Sequence, residues 1–544
     1  MAEIIKGTDL LNNDKIKRKL KEHIEKNCLI GIPTETVYGL GGNSLSDISL
    51  RHIFEMKNRP ISDPIISHVY DITQAFDQLY NINIFEKYII YILSKKFWPG
   101  PLSVIAKANK NLPLILTAHT SFCAVRIPKN PIALEIIKVC QVPIAAPSAN
   151  KFQHISPTNS MHVFEEFKNE NILIFDDGQC DIGIESTVLK LIKYKKKSIR
   201  KVNKKDRHLS CGSKANRSPN RNEEVEEVDG EEEITTDIEY EKECKREMEF
   251  FRKATNSSTS EPNIRIYEKL KNQFGSIEQM LEKGLPIGLG MEETGWEDAE
   301  PTILGKILKY KNLYDYRIRI YRRGKYTMSD IQDALSCFSL LKDIDVDLCE
   351  KIKFEHVAFQ GNGGLNENDN PDESTKGSAE ADVRAKTNEK ECSQGEVSPG
   401  MLLTHYSPVV STYLIDVLQY GESKNNTTNK NKGAKINLMN CILLDIGNSF
   451  DNYQNGFLKY INISYDGLCK NDEQINFVMK NFFLFLRHAE ELAIKHEAEN
   501  ILISIVNLKS LDENSLSVFD RIFRAASGKI VKVVLHPNGE LRRV

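Results

Sequence analysis

Two long polar stretches divide this sequence into segments that can form a hydrophobic core and segments that cannot. The first stretch joins a basic run, KYKKKSIRKVNKKDR, to an acidic run, NRNEEVEEVDGEEEITTDIEYEKE, and the second is QGNGGLNENDNPDESTKGSAEADVRAKTNEKECSQGE. None of these runs holds enough apolar surface to offset the entropy lost when a chain is ordered. We therefore predict a disordered insertion at about 193–262 and a partly disordered linker over 336–408, which ends in SPGMLLTHYSP.

The remaining segments predict two domains, because 544 residues are too many for a single core. From about 27 to 190, short apolar runs alternate with helical patterns, which is typical of an α/β or mixed α+β domain. Past the linker, the strand-like runs STYLID, NCILLDIG and ENILISIV alternate with helices and predict a small parallel sheet. The predicted domains span 1–335, including the insertion, and 409–544.

Charge, hydropathy and cysteine usage narrow the class of protein. The formal net charge is −3, and no apolar run approaches the roughly 20 residues that cross a bilayer, so we expect no membrane partner. The eleven cysteines form no C-x-x-C pair, which favours reduced thiols and a cytoplasmic location. The chain has no G-x-x-x-x-G-K-[ST] motif, so any ATP site is not a Walker loop.

The stretch GIPTETVYGLGGNS ends an apolar strand in a group of hydroxyls. Ligands usually bind where loops leave the carboxyl edge of such a sheet, and here Thr34, Thr36 and Tyr38 offer hydroxyl groups beside glycines that admit a ligand. The structural alternative is a capped turn that opens the next helix, with Ser44 or Ser46 as the N-cap. On this segment alone the two readings are about equally supported.

A second group of polar residues follows the helix SDISLRHIFEMKN. Lys57 and Arg59 stand at its end, before Pro60, which is expected to stop the helix. Two cations there could simply compensate the helix dipole. In the following ISDPIISH, Asp63 and His68 bracket another apolar strand, and a histidine in that position is more often structural than functional.

Further polar residues end or begin the later apolar runs. In FCAVRIP, Arg126 shares a strand face with apolar residues, so it must pair either with a protein carboxylate or with an anionic ligand. Ser148 and Asn150 close PIAAPSAN, Ser156 lies in ISPT, and Thr187 lies in GIESTV. Together these residues predict a cavity for a polyanion and a small polar molecule, with chemistry by positioning and charge neutralisation.

Seven motifs, in order, carry a resemblance to a known family. They are PTETVYGLGG, FEMKNRPISDPIISH, FWPGPLSVIAKAN, AVRIP, PIAAPSAN, ISPT and GIESTV. In these the chain resembles the YrdC-like threonylcarbamoyl-AMP synthases, and SPGMLLTHYSP resembles the linker of their two-domain members. The resemblance implies a twisted open-sheet α/β (α+β) catalytic domain with a large concave cavity, followed by a smaller Rossmann-like α/β domain.

The resemblance also implies a reaction and its site. L-threonine, bicarbonate and ATP would give L-threonylcarbamoyladenylate and pyrophosphate, for the N6-threonylcarbamoyl modification of adenosine 37 in tRNA. A downstream threonylcarbamoyl transferase complex would use the product, tRNA contact is possible, and Mg²⁺ would bridge the phosphates through unknown ligands. The residues carried over are Thr36, His68, Arg126 and Thr187 for L-threonine, and Lys57, Arg59, Asp63, Ser148, Asn150, Ser156, Arg322 and Tyr406 for ATP, with Lys57 and Arg59 also catalytic.

Some positions depart from the family pattern, and two other functions stay open. Asp63 replaces a usual asparagine, and Arg323 replaces a usual proline, so either Arg322 or Arg323 could contact ATP. One alternative function is a module that binds double-stranded RNA or tRNA, which would use a cationic concave surface. The other is a carbamoyltransferase-type YrdC domain, although the zinc-finger cysteines expected beside such a domain are missing from this sequence.

Overall fold

The structure is a computed structural model, and it describes residues 1–196, 303–349, 405–418, 437–463, 471–504, 513–535 and 541–543. The predicted insertion lies outside these residues except for its first positions, where a strand continues to Lys195. The described chain forms two β-sheets flanked by helices. The predicted mixed α/β class is confirmed.

The first sheet holds eleven strands of the described chain in the order β1-β8-β2-β3-β7-β4-β6-β5-β9-β10-β11. Their bounds are Glu3–Lys6 (β1), Leu29–Ile32 (β2), Gly39–Asn43 (β3), Ile66–His68 (β4), Leu102–Lys107 (β5), Phe122–Arg126 (β6), Ile144–Ala145 (β7), Ile172–Asp176 (β8), Thr187–Lys195 (β9), Tyr314–Arg322 (β10) and Asp345–Leu348 (β11). Strands β4 and β6 are parallel, so His68 and Arg126 end neighbouring strands in register. Strand β11 pairs with β10 inside the range predicted as linker, so that part of the linker is ordered sheet.

Helices cover this sheet along its length. Their bounds are Gly7–Asn12 (α1), Asp14–Glu25 (α2), Asp47–Lys57 (α3), Ile72–Gln74 (α4), Ile84–Phe97 (α5), Pro131–Cys140 (α6), Ser160–Phe167 (α7), Ile303–Leu313 (α8) and Met328–Ser336 (α9). Ser46 caps α3 by accepting a hydrogen bond from the Ser49 amide. Helix α3 ends at Lys57 because Asn58 adopts a left-handed conformation with φ of 55°, before Pro60 is reached.

The second sheet holds six described strands in the order β14-β13-β15-β12-β16-β17. Their bounds are Thr412–Leu418 (β12), Cys441–Ile446 (β13), Lys459–Ile463 (β14), Asn500–Ser504 (β15), Ile530–Leu535 (β16) and Leu541–Arg543 (β17), and the helices are Asn471–Lys495 (α10) and Glu513–Ala525 (α11). The three strands predicted from the sequence are confirmed and are parallel to their neighbours in this sheet, and only the β16–β17 pair is antiparallel.

The two sheets share a hydrophobic cluster. One buried cluster joins the part of the chain that carries the first sheet to the linker and to α10: it contains Val37, Ile155, Ile184, Tyr406 and Phe483. Among the described residues, none of the helices combines the length and the apolar character that a membrane crossing requires. The predicted boundaries at 335 and 408 stay predictions.

Candidate active site

An open cavity lies at the strand ends of the first sheet, with about 560 Å³ of empty space that includes open solvent. It is lined by the loops after β2 and β7, by the loop between α3 and β4, by residues of β4, β6 and β10 that include the last residue of each, by the residues before β9 and by the linker. Of the residues predicted for the site, seven line this cavity: Thr36, Arg59, His68, Arg126, Ser148, Arg322 and Tyr406. Segments more than 300 residues apart in the sequence therefore meet in one hollow.

Arg126 is held in this wall by three protein partners. Its Nη1 donates to Thr36 Oγ1 at 2.9 Å, and its Nε donates to the Gly100 carbonyl at 3.2 Å. Its Nη2 lies 2.7 Å from Glu35 Oε1, and both side chains are buried. The protein carboxylate that the sequence left open is thus Glu35, and a guanidinium with five N–H groups still keeps donors for a ligand.

The hydroxyls after β2 form an ordered chain. Thr34 Oγ1 donates to the Val37 carbonyl at 2.6 Å and lies 2.8 Å from Thr36 Oγ1. Because the only hydroxyl proton of Thr34 is used by Val37, Thr36 must donate to Thr34 and accept from Arg126. The threonines therefore orient the guanidinium of Arg126. The N-cap at Ser46 is also formed, and ligand binding by this stretch stays a prediction.

His68 ends β4 beside Arg126 and is 4% exposed. Burial, together with the nearby Arg126 charge, lowers the pKa of His68 to about 3, so the imidazole is neutral at physiological pH. Its Nδ1 has no hydrogen-bond partner within the described part of the chain. A neutral ring with an open nitrogen can accept or donate one hydrogen bond to a polar ligand in the cavity.

Lys57 and Arg59 occupy different layers of the wall. The Lys57 amine is fully buried and donates to the carbonyls of Ser148 and Asn150, behind the cavity surface. Burial, and then the charge of Arg59, lowers the pKa of Lys57 well below its usual value. Arg59 itself lines the cavity and forms an ion pair of 2.9 Å with Asp63. Asp63 therefore faces an arginine, and it does not line the cavity.

Asn150, Ser156 and Thr187 support the wall without lining it. The Asn150 amide donates to two backbone carbonyls of its own loop, and Ser156 Oγ donates to Glu185 Oε1 at 2.8 Å. Thr187 Oγ1 donates to the Tyr326 carbonyl at 2.8 Å and accepts from the Tyr326 amide at 3.0 Å. The Thr187 hydroxyl thus has two protein partners and one remaining acceptor lone pair, and its contact with L-threonine stays a prediction.

Arg322 rather than Arg323 lines the cavity. Its Nε donates to the Ser186 carbonyl and its Nη2 to Ser186 Oγ, each at 3.1 Å. Tyr406 also lines the cavity and is 1% exposed, with a positive φ of 64° and its ring 5.1 Å from that of Phe483. The aromatic ring of the linker is therefore held in place by the second unit, which is the part of the chain that carries the second sheet with helices α10 and α11.

Glu35, Glu185 and His405 line or support the cavity, although the sequence analysis did not select them. The signal for Glu35 and Glu185 was present, because a carboxylate inside an apolar strand-end motif must be paired when it is buried. His405 gave a weaker signal, since it lies in the linker beside Tyr406. Its pKa is lowered well below the usual value by burial and by Arg59 and Lys57.

No group of three or more histidine, cysteine or acidic side chains suited to a metal ion occurs in the described ranges. Two carboxylates at the cavity are each engaged by an arginine: Glu185, which lines it, by Arg521, and Glu35, behind the surface, by Arg126. The described residues that line the cavity carry guanidinium, hydroxyl, imidazole and carboxylate groups.

Sequence comparisons identify two regions of the chain. Residues 22–202 match the Sua5–YciO–YrdC family, described as "Telomere recombination", and residues 372–527 match the domain described as "Threonylcarbamoyl-AMP synthase, C-terminal domain". A threonylcarbamoyl-AMP synthase of Pyrococcus abyssi is 40% identical over 174 residues, which cover 31% of this chain and 49% of that protein. The synthase of Bacillus subtilis is 37% identical, with 33% and 51% covered.

A third relative is matched over most of its own length. It is a Methanocaldococcus jannaschii protein provisionally named as the same synthase, 30% identical over 35% of this chain and 87% of its own length. The chain spans about half the length of the first two relatives. The crystal structure of Pyrococcus abyssi Sua5 complexed with L-threonine aligns with 98% of both chains at 20% identity and a TM-score of 0.51, which shows a shared fold.

Proposed function

The chain belongs to the Sua5–YciO–YrdC family, and from this membership and its cavity we propose that it is a threonylcarbamoyl-AMP synthase. The reaction joins L-threonine, bicarbonate and ATP into L-threonylcarbamoyladenylate and releases pyrophosphate. The observation that carries the proposal is the convergence of three buried guanidiniums, those of Arg59, Arg126 and Arg322, on one cavity. Three cations suit a substrate pair that brings one carboxylate and a triphosphate.

Arg126 is the proposed L-threonine ligand. Its terminal nitrogens keep N–H groups beyond those used by Thr36 and Glu35, and a carboxylate can accept two such bonds side by side. His68, neutral and with an open Nδ1, is suited to the amine or hydroxyl of the same amino acid. The Sua5 protein of Pyrococcus abyssi has been crystallised with L-threonine, which supports an amino-acid site in this fold.

Arg59 and Arg322 are the proposed ligands of the ATP phosphates, and Ser148 and Tyr406 complete that side of the cavity. In the first step the threonine amine attacks the carbon of bicarbonate, and a carbamate forms with loss of water. A carbamate oxygen then attacks the α-phosphorus and pyrophosphate leaves. Arg59 and Arg322 would stabilise the charge that develops on the phosphates. Lys57 would act through Ser148 and Asn150, by holding their loop against the nucleotide.

Mg²⁺ would enter with the nucleotide. This ion is commonly held by substrate phosphates and few protein carboxylates, and the described residues offer no set of three acidic or histidine ligands. When bound, it would neutralise phosphate charge. The contacts with tRNA and with a downstream transferase complex, and the cytoplasmic location, remain predictions.

The buried position of the three guanidiniums favours an enzyme over an RNA-binding module. Arg126 is 3% exposed, and Arg59 and Arg322 are each 7% exposed, so they face a small cavity. A module that binds RNA needs cations on an accessible surface along the phosphate backbone. The carbamoyltransferase alternative gains no specific support from the described site.

The test is pyrophosphate release by the full chain with ATP, bicarbonate and one amino acid at a time. We expect release with L-threonine and little release with D-threonine, with L-serine or without an amino acid. Equal release in all four mixtures would overturn the proposal.

A further inference from the structure

Arg521 reaches from helix α11 of the second unit into the wall of the cavity of the first. Its side chain has no exposed surface. The Nε lies 3.2 Å from Glu185 Oε2, and the Nη2 donates to the Glu185 carbonyl at 3.4 Å. The Nη1 donates to the Ser517 carbonyl of its own helix at 3.1 Å and lies 3.5 Å from Asp520 Oδ2, which also pairs with Arg524. One guanidinium thus binds both its own helix and the segment that precedes β9.

Among the described residues that line the cavity, Glu185 is the one with an acidic side chain. An unpaired carboxylate in that position would repel a polyphosphate, since like charges in a partly desolvated site oppose each other strongly. Both of its oxygens are engaged: Oε1 accepts from Ser156 Oγ and Oε2 faces Arg521. The charge of Glu185 is therefore compensated by a residue of the other unit.

Helix α11 also holds the linker that closes the cavity. Ser407 Oγ donates to the carbonyls of Arg524 and Ala525 at 3.4 and 3.2 Å, directly after Tyr406. On the neighbouring helix α10, the Lys480 carbonyl oxygen lies 2.2 Å from the position that a Cβ atom on Gly183 would occupy. The second unit therefore packs closely against the 183–186 segment of the cavity wall.

A purely structural ion pair would be a costly way to hold this interface. Buried ion pairs contribute little net stability compared with apolar packing of the same volume. The shared cluster around Phe483 already supplies apolar packing between the two units. The position of the pair, with its carboxylate on the cavity surface, is explained better by a role in ligand binding.

We propose that Arg521 is a positioning residue for nucleotide binding: it neutralises and orients Glu185, so that the polyphosphate site is complete only when the second unit is docked. This inference rests on the proposed function for the identity of the nucleotide. Arg521 acts through Glu185 and Ser156, and it does not touch the threonine side of the cavity, where Arg126 lies. Its removal should therefore weaken ATP binding and leave L-threonine binding nearly unchanged.

The test compares R521Q, E185Q and the double variant E185Q/R521Q in the full chain, by calorimetry with ATP and by KM for ATP and for L-threonine. R521Q should weaken ATP binding at least about tenfold, because a buried charge loses its partner, while the KM for L-threonine changes less than about twofold. The double variant should recover ATP affinity to within about threefold of wild type, since both charges are gone. R319Q, which breaks the Arg319–Asp347 pair away from the cavity, is the matched control and should bind ATP normally.

Three results would overturn the inference: a double variant as weak as R521Q, an R521Q variant that binds ATP like wild type, or equal losses for both substrates. If R521Q does not fold, the double variant decides alone, because it has no carboxylate at position 185, and Asp520, the other partner of Arg521, keeps its ion pair with Arg524. The double variant must then fold and bind ATP. Formation of the adenylate by wild type tests the proposed function separately, and it can succeed whichever way the variants behave. A wild type that binds no ATP would overturn both.

Discussion

Arg126 and Glu35 form a buried ion pair, with 2.7 Å between Nη2 and Oε1, in the wall of the cavity. The Lys129 amide donates to the other oxygen of Glu35 at 2.9 Å, so the carboxylate is fixed on both sides. The guanidinium proposed to bind L-threonine is thus also needed by the fold. A mutation of Arg126 will therefore change stability as well as activity.

Arg126→Ala should abolish L-threonine-dependent pyrophosphate release. It should also lower the free energy of unfolding by about 3–5 kcal/mol, because Glu35 remains buried without its partner. Steady-state assays with varied L-threonine and urea denaturation measure the two effects.

The double variant Arg126→Ala/Glu35→Gln separates these effects. It should regain part of the lost stability, since no unpaired charge remains, but no activity. Wild-type turnover in either variant would remove Arg126 from the L-threonine site.

His68 should make the protein less stable in mild acid. Its pKa is about 3 in the folded chain and 6.5 when unperturbed, so between these values the unfolded state binds the extra proton. Below about pH 6.5 the contribution of this group to the free energy of unfolding therefore decreases by about 1.4 kcal/mol for each pH unit.

Urea denaturation at pH 6.5 and pH 5 can isolate this contribution. From pH 6.5 to pH 5, the free energy of unfolding should decrease by about 2 kcal/mol more in wild type than in His68→Asn, which has no titrating group at that position. The same loss in both proteins would mean that His68 does not stay neutral when buried.

Gly183→Ala should loosen the docking of the second unit. The new methyl would meet the Lys480 carbonyl at 2.2 Å, and the residue has a φ of +77°. Gly178→Ala is a matched control, because its φ of +72° is similar but no atom lies within 4 Å. Both variants carry the backbone strain, about 1–2 kcal/mol.

The thermal midpoints of the two glycine variants therefore measure the steric contact. The free energy of unfolding should be about 1–3 kcal/mol lower for Gly183→Ala than for Gly178→Ala, and the thermal midpoint of Gly183→Ala should be correspondingly lower. This variant should also bind ATP more weakly, since Glu185 and Tyr406 depend on the same interface. Equal midpoints would contradict the close packing seen at this position.

Lys57→Met should weaken ATP binding by releasing the loop that carries Ser148. Losing the two carbonyl contacts should cost about 1–3 kcal/mol of stability and raise the KM for ATP. Lys151→Met, which loses a similar bond to the Met56 carbonyl, is the control and should leave the KM for ATP unchanged. A collapse of kcat with a normal KM would instead indicate direct contact between Lys57 and the reacting phosphates.

Several strands followed from the sequence because they depend on local pattern, whereas most residues of the site were assigned through the family resemblance. Alternation in FCAVRIP placed Arg126 on an apolar face, which required a partner, but that partner lies 91 residues away and could not be deduced from spacing. Glu185 and Arg521 are 336 residues apart, and only the docking of the two units brings them together. Strand β11 was missed because its four residues, DVDL, carry two acids and do not resemble a buried strand.

For a related reason, the sequence did not show which protein groups bond to Thr187 and Lys57, and their roles toward the substrates stay predictions. A strand-end position predicts that a side chain lies near the cavity, but not which direction it faces. The Thr187 hydroxyl is taken by Tyr326, and the Lys57 amine is taken by two carbonyls. Such competition between protein partners and a ligand is visible only in three dimensions.

Mass spectrometry of the product formed from ATP, L-threonine and ¹³C-bicarbonate tests the central claim most directly. We expect an adenylate that carries one threonine and one carbon from bicarbonate, heavier by one mass unit than the product from unlabelled bicarbonate, and absent without L-threonine. An adenylate without the labelled carbon, or no adenylate from a folded protein that binds ATP, would contradict the account.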